Sequence, residues 1–171
     1  MRRVTTACLL GLLAGLAPAR TQAQSPAQGD QPVLYAALLK QAKAFLERSG
    51  ETFYAVGAYV DTAGKQWGFT PQTWPALTAP AQEWEDSLAV GTQHVYPRAR
   101  AVAWLVDIVS RDDTLASDTL GARFHYESAD GTCASVRRSY KWEDSGTITW
   151  GAEAVLPCTR RTALRAGAPA R

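Results

Sequence analysis

Apolar residues first recur with a helical period at Leu34, Leu38, Ala42 and Phe45, with Leu39 and Leu46 on the same stripe. That spacing predicts an amphipathic helix ending at Ser49-Gly50. Asp30 stands where a cap would, and Pro32 suits a first turn. The period then shortens. Residues 53–60 read as a strand, with Ala55 and Gly57 on the face of Phe53 and Tyr59; residues 61–64 make a turn, and 65–70 return as a shorter strand. Two prolines in 71–79 exclude a central strand. Thr78 and Pro80 open a second helix, lined by Trp84 and Leu88, which Val95 extends towards Pro97 and Gly91 weakens.

Residues 100–110 form the strongest strand. They are apolar on both alternations (Ala101, Ala103, Leu105 and Val102, Trp104, Val106, Ile108), as a central strand covered on both faces must be. After a polar loop at 111–118 come strands at 121–128, 132–141 and 147–156, the first two joined by the hairpin signal Ala129-Asp130-Gly131. The order α-β-β-α-β-β-β-β predicts an α+β fold: an antiparallel sheet of five to six strands with two helices packed on one face. No repeat of 20–50 residues is present, and the two copies of Trp-Glu-Asp, at 84–86 and 142–144, are a coincidence of composition.

The segment Glu51-Thr52-Phe53-Tyr54-Ala55-Val56-Gly57-Ala58-Tyr59-Val60-Asp61, followed by Gly64, resembles the start of a group of small bacterial proteins of unknown function, in which an amphipathic helix precedes an "FYPFGA…DG" hairpin. Ala101-Val102-Ala103-Trp104-Leu105-Val106-Asp107, Asp130-Gly131 and Gly146-Thr147-Ile148-Thr149-Trp150-Gly151 are similar to that group in order and spacing, so the likeness spans most of 33–151. The chain departs from it in having Ala55 where a proline is usual, and in adding a leader and a cysteine pair. Turns and core positions carry the resemblance. It implies a fold and carries over no functional residue.

The leader is residues 1–23. Arg2 and Arg3 give a positive start, 4–16 are almost wholly apolar, and Thr21-Gln22-Ala23 offers small residues to a signal peptidase. The apolar run falls short of the roughly 18 residues of a membrane span, so it reads as a secretory signal peptide, and the protein is expected in the periplasm or outside the cell. Cys8 lies ahead of most of the apolar run, which argues against a lipoprotein anchor. After cleavage no further segment is apolar enough to span, and residues 24–158 are expected to form one domain followed by a basic, flexible tail at 159–171. Removing Arg2, Arg3 and Arg20 changes 18 basic against 16 acidic residues to 15 against 16. The tail keeps Arg160, Arg161, Arg165 and Arg171 with no acid, a composition able to touch anionic lipid, cell-wall polymer or an acidic partner. An acidic body in this compartment argues against nucleic acid.

Cleavage also leaves two cysteines, Cys133 and Cys158, which predict one disulfide. With Trp142 opposite Thr147, Cys133 falls opposite Leu156, and a bulge or small register shift brings the sulfurs together. Catalytic signals are weak. His125 and Glu127 project from one face of a strand and could share a metal or a hydrolytic cleft with Asp107, but two ligands at that spacing arise often by chance. His94 near a helix end suits a surface role. The carboxylates Glu83, Glu85 and Asp86 read as the exposed side of a helix, and Asp112 and Asp113 as a loop. No nucleophile elbow, Ser-x-x-Lys motif or phosphate loop is present, and no cofactor is expected. Six tryptophans are more informative, because indoles dominate contact hot spots; Trp67, Trp74 and Trp142 are the candidate partner contacts. The sequence therefore points to a small exported binding protein of the immunity or inhibitor type, with a protein partner in the envelope. The alternatives are an envelope-acting hydrolase or a small-ligand sensor, the last needing an apolar cavity between helices and sheet.

Overall fold

The computed structural model describes residues 26–50, 53, 55–76, 78–109 and 120–164. The leader, the carboxylates Asp112 and Asp113 and the last seven residues of the tail lie outside them.

Among the described residues, two α-helices and six strands alternate as the sequence predicts: α1 (Pro26–Ser49), β1 (Ala55–Asp61), β2 (Gln66–Phe69), α2 (Ala81–Gly91), β3 (Ala99–Val109), β4 (Leu120–Ser128), β5 (Cys133–Trp142) and β6 (Ile148–Leu156). A single 3₁₀ turn, Thr92–His94, extends α2. The strands form one antiparallel sheet in the order β2-β1-β3-β4-β5-β6, an α+β fold.

The two helices do not share a face. Leu34, Leu38, Ala42 and Leu46 of α1 pack on Ala58, Val60, Ala101, Ala103, Leu105, Phe124 and Tyr126. Trp84 and Leu88 of α2 pack on the opposite side, against Tyr59, Val102, Trp104 and Val106. The expected one-face arrangement fails because β3 is apolar on both alternations, and each set needs its own cover; one layer of helices would leave Trp104 and its neighbours in water. Trp104 is fully buried.

Helix α1 begins earlier than its capping signal. Asp30 lies inside it, and its carboxylate accepts two hydrogen bonds from the Arg100 guanidinium on β3, at 2.7 and 2.8 Å. A buried bidentate ion pair satisfies that carboxylate better than a cap would. At the other end of the helix Glu47 accepts the Ile148 N–H and Lys43 donates to the Ile148 carbonyl, which ties α1 to the start of the edge strand β6.

Trp142 pairs with Ile148, one residue from the expected register, and an irregularity between Arg138 and Tyr140 then shifts the ladder so that Ser135 faces Leu156. Continuing that register brings Cys133 to Cys158, and the two form a disulfide with a Cα–Cα distance of 5.9 Å. With a sequence separation of 25, the bridge stabilises the fold by about 3 kcal/mol on the loop-entropy model.

Beyond Cys158 the chain crosses the α2 face of the sheet. Leu164 is buried in the α2 core, so at least 159–164 are a packed strap rather than a free tail. Composition does not reveal this packing, because Arg160 and Arg161 dominate the segment and its apolar anchor is the single Leu164.

The loop between β2 and α2 approaches the helix closely at Gly91, where an added Cβ would stand 2.8 Å from the Thr70 carbonyl oxygen. Gly91→Ala tests that contact. Helix propensity alone would favour alanine by about 1 kcal/mol. A clash with backbone costs about 1–3 kcal/mol, so the variant is expected to unfold at lower urea concentration than wild type. A midpoint that rises instead would show that this approach is not tight.

Candidate functional site

Two places on the α2 side concentrate chemistry. The first is buried. On β4, Ala122, Phe124 and Tyr126 face α1, while Arg123, His125 and Glu127 face the other way. That second row is polar because it is covered by the strap and by α2's acidic residues rather than by an apolar helix stripe. Glu127 is fully buried. One carboxylate oxygen accepts from His125 Nε2 at 2.8 Å and from the Arg161 N–H, and the other accepts from the Thr162 N–H at 3.2 Å and the Thr162 hydroxyl at 2.6 Å. Arg160 Nε stands 3.5 Å away. Burial by itself would raise the Glu127 pKa, but these donors outweigh it and hold the carboxyl below its ordinary range.

His125 is sandwiched. Its ring stacks on Trp104 at 4.4 Å with planes 20° apart, and its Nδ1 is 3.9 Å from Cys158 Sγ. Glu85, read from the sequence as exposed, is buried as well; Arg123 and Arg161 both pair with it, the latter at 3.2 Å. Arg161 reaches on to Asp86 at 2.6 Å and to the Gln82 side-chain oxygen at 3.1 Å.

Asp107 does not belong to this group. It pairs in register with Ala122, so it lies on the α1 face, where the Tyr140 hydroxyl donates to it at 3.0 Å. His125, Glu127 and Asp107 thus stand on opposite faces of one sheet and make no common cleft. Burial pushes the Asp107 carboxyl up to about 7, against the Tyr140 and Ile108 hydrogen bonds that favour its charged form. Burial, and after it the same carboxylate, raise the Tyr140 phenol.

The second place is an open cleft of about 400 Å³ between the β2–α2 loop and the outer side of α2. Gln72, Thr73, Trp74 and Pro75 form one wall, and Glu83, Asp86, Ser87 and Val90 the other. Ser87 fixes the loop: its hydroxyl donates to the Thr73 carbonyl and accepts the Thr73 N–H at 3.2 Å. Trp74 is 64% exposed and meets the buried Trp84 edge-on at 5.8 Å. The cleft therefore offers an indole, two exposed carboxylates and the apolar surfaces of Pro75 and Val90.

The three candidate tryptophans do not share one surface. Trp67 lies on the β2 edge, its Nε1 donating to Asp61 at 2.8 Å and its ring covered by Lys65 at 4.0 Å. Trp142 is half-buried against the α1 core, at the far end of the sheet. Trp74 alone of the three lines the cleft. His94 is exposed on the 3₁₀ turn. Sequence reasoning overlooked Ser87, which shapes the cleft, and read Arg161 as part of a free basic tail rather than as a partner of the acidic wall; no local motif marks either contact. No helix among the described residues is long and apolar enough to cross a membrane. Comparisons with protein-family models, with curated proteins and with solved structures find no match.

Two expectations follow from the buried groups. Glu127→Ala strands the His125 ring and the Arg161 and Thr162 amides, so it should cost about 3 kcal/mol and open the chain to trypsin at Arg160 and Arg161. Unchanged stability and continued resistance to trypsin would mean that Glu127 does not hold the strap. An acid whose pKa is raised by folding holds its proton longer when folded, so Asp107 lowers stability as pH climbs from about 4 to about 7. Asp107→Asn should match wild type in urea unfolding at pH 4 and exceed it at pH 8 by up to about 4 kcal/mol. A difference that does not grow across that interval would contradict the burial argument.

Proposed function

We propose that the chain is an exported, non-enzymatic interaction protein of the inhibitor or immunity type, whose Trp74 cleft takes an arginine side chain of a protein partner. The observation that carries this reading is Arg161. The protein already seats one guanidinium against Asp86, Glu85 and Gln82, on the acidic side of α2 that also supplies Glu83 to the cleft. The exposed Trp74 indole on the opposite wall adds the flat π surface on which a second guanidinium stacks. Ser87 and Gly91 hold the indole-bearing loop in place, so the cleft is formed before any partner arrives, which lowers the cost of binding. Two facts weigh against the hydrolase alternative: Asp107 is separated from His125 and Glu127 by the sheet, and Glu127 is filled with structural donors. The signal-peptide pattern of residues 1–23 supports a partner in the envelope.

The test is a titration followed in the ¹⁵N–¹H spectrum, with a short arginine peptide and its citrulline counterpart as probes. The Trp74 indole resonance is expected to shift with the arginine peptide and not with the uncharged one. Trp74→Ala and Glu83→Gln should each weaken binding about tenfold, the order of a desolvated cation–π or charge-assisted contact. Equal responses to both peptides, or no response of Trp74 at millimolar peptide, would overturn the reading.

A further inference from the structure

The disulfide, His125 and Glu127 make a second constellation, which the cleft does not use. A ring nitrogen of His125 and the two sulfurs, Cys133 Sγ and Cys158 Sγ, lie within 4.8 Å of one another, and Nδ1 is the nitrogen beside Cys158 Sγ. On the far side of the ring Nε2 meets the buried Glu127 carboxylate at 2.8 Å, and Trp104 stacks on the ring face. The imidazole is therefore fixed in orientation. With its Nε2 proton donated to Glu127, it presents the Nδ1 lone pair to the sulfurs. A ligating histidine is held in this way in metal sites, its second nitrogen donating to a carboxylate that sets the tautomer and raises the basicity of the first. The spacing also fits. Tetrahedral zinc with bonds of about 2.0 Å to nitrogen and 2.3 Å to sulfur sets those ligand atoms about 3.5 Å apart. The observed distance from His125 Nδ1 to Cys158 Sγ is 3.9 Å.

We propose that the reduced protein binds one thiophilic divalent cation, Zn²⁺ or its spectroscopic substitute Co²⁺, through Cys133 Sγ, Cys158 Sγ and His125 Nδ1. The disulfide is then the oxidised, metal-free form of the same site. Reduction by a dithiol breaks the S–S bond: the dithiol gives up two electrons and two protons and becomes a disulfide, and the protein gains two thiols. The cation then displaces both thiol protons to solvent as the two S–metal bonds form. Thiolate and imidazole ligands select zinc-like ions over Mg²⁺ and Ca²⁺. Three protein ligands leave a fourth position, which water can fill because both cysteines are only half-buried. The proposed ligands share no residue with the Trp74 cleft, and the failure of either proposal leaves the other standing.

The test reduces the full mature chain anaerobically with a phosphine, removes the phosphine and titrates Co²⁺. The expected result is one Co²⁺ per chain with a thiolate-to-cobalt charge-transfer band and intense tetrahedral visible bands, while the oxidised protein shows neither. His125→Ala should keep the thiolates yet bind at least tenfold more weakly, a loss at least as large as that of an outer-shell partner. X-ray absorption on the zinc-loaded wild type needs no variant, and should show two sulfur scatterers and one imidazole. The proposal is overturned if the reduced chain gives no charge-transfer band, if His125→Ala binds as tightly as wild type, or if the oxidised protein binds equally. It is also overturned if the reduced chain loses its circular dichroism and zinc does not restore it, since binding at a real site is folding free energy.

Discussion

A carboxylate with no exposure to water must find several donors or stay neutral, and Glu127 finds them in the C-terminal strap. That requirement organises the α2 side of the molecule. Glu127 cannot be buried on β4 until residues 160–162 arrive with two backbone N–H groups and a hydroxyl. Once they arrive, Leu164 reaches the apolar core beside Trp84 and Leu88, and the Tyr96 hydroxyl accepts the Ala163 N–H at 2.9 Å. The disulfide at Cys158 delivers the strap to this place, and the shifted β5–β6 register delivers the disulfide. Each step depends on the one before it.

The sheet has two unlike faces for the same reason. Over α1 the cover is an apolar helix stripe, and the few polar groups there, Asp107 with Tyr140 and Asp30 with Arg100, are paired. Over α2 the helix is short. Its apolar residues cover β1 and β3, and the β4 row of Arg123, His125 and Glu127 is left to charged partners. Among the described residues one buried polar atom on this side, Trp104 Nε1, has no hydrogen-bond partner. Arg161 joins the two regions, because its backbone serves Glu127 while its guanidinium serves the acidic wall of the cleft. The geometry that completes the core thus also sets the charge of the candidate binding surface.

Much of the fold was legible in the sequence, because periodicity reports which residues are apolar together. The eight elements, their order and the antiparallel class all follow from it. Periodicity does not report which face a helix takes. The double alternation of β3 held that information, since two apolar sets require two covers, whereas the apolar positions of α2 are compatible with either side. Parity placed His125 and Glu127 together correctly. It could not place Asp107, whose side depends on the β3–β4 register and so on a loop of unspecified geometry. The disulfide was legible from cysteine number and the expected compartment, and even its need for a bulge. The strap was not, because its anchors are backbone N–H groups, which every residue but proline carries. The cleft was half legible: Trp74 was singled out as a contact residue, but its setting depends on Ser87 and Gly91, which act through contacts distant in sequence.

The dependence of the α2 side on Glu127 is open to one direct measurement, native-state hydrogen exchange at the Arg161 and Thr162 amides of the oxidised protein. If those N–H groups are bonded to a buried carboxylate, they exchange only through large openings, with protection comparable to the β3 and β4 amides. Exchange at the rate of an unstructured peptide, beside a protected sheet, would show that the strap is not part of the fold and would contradict the account at its base.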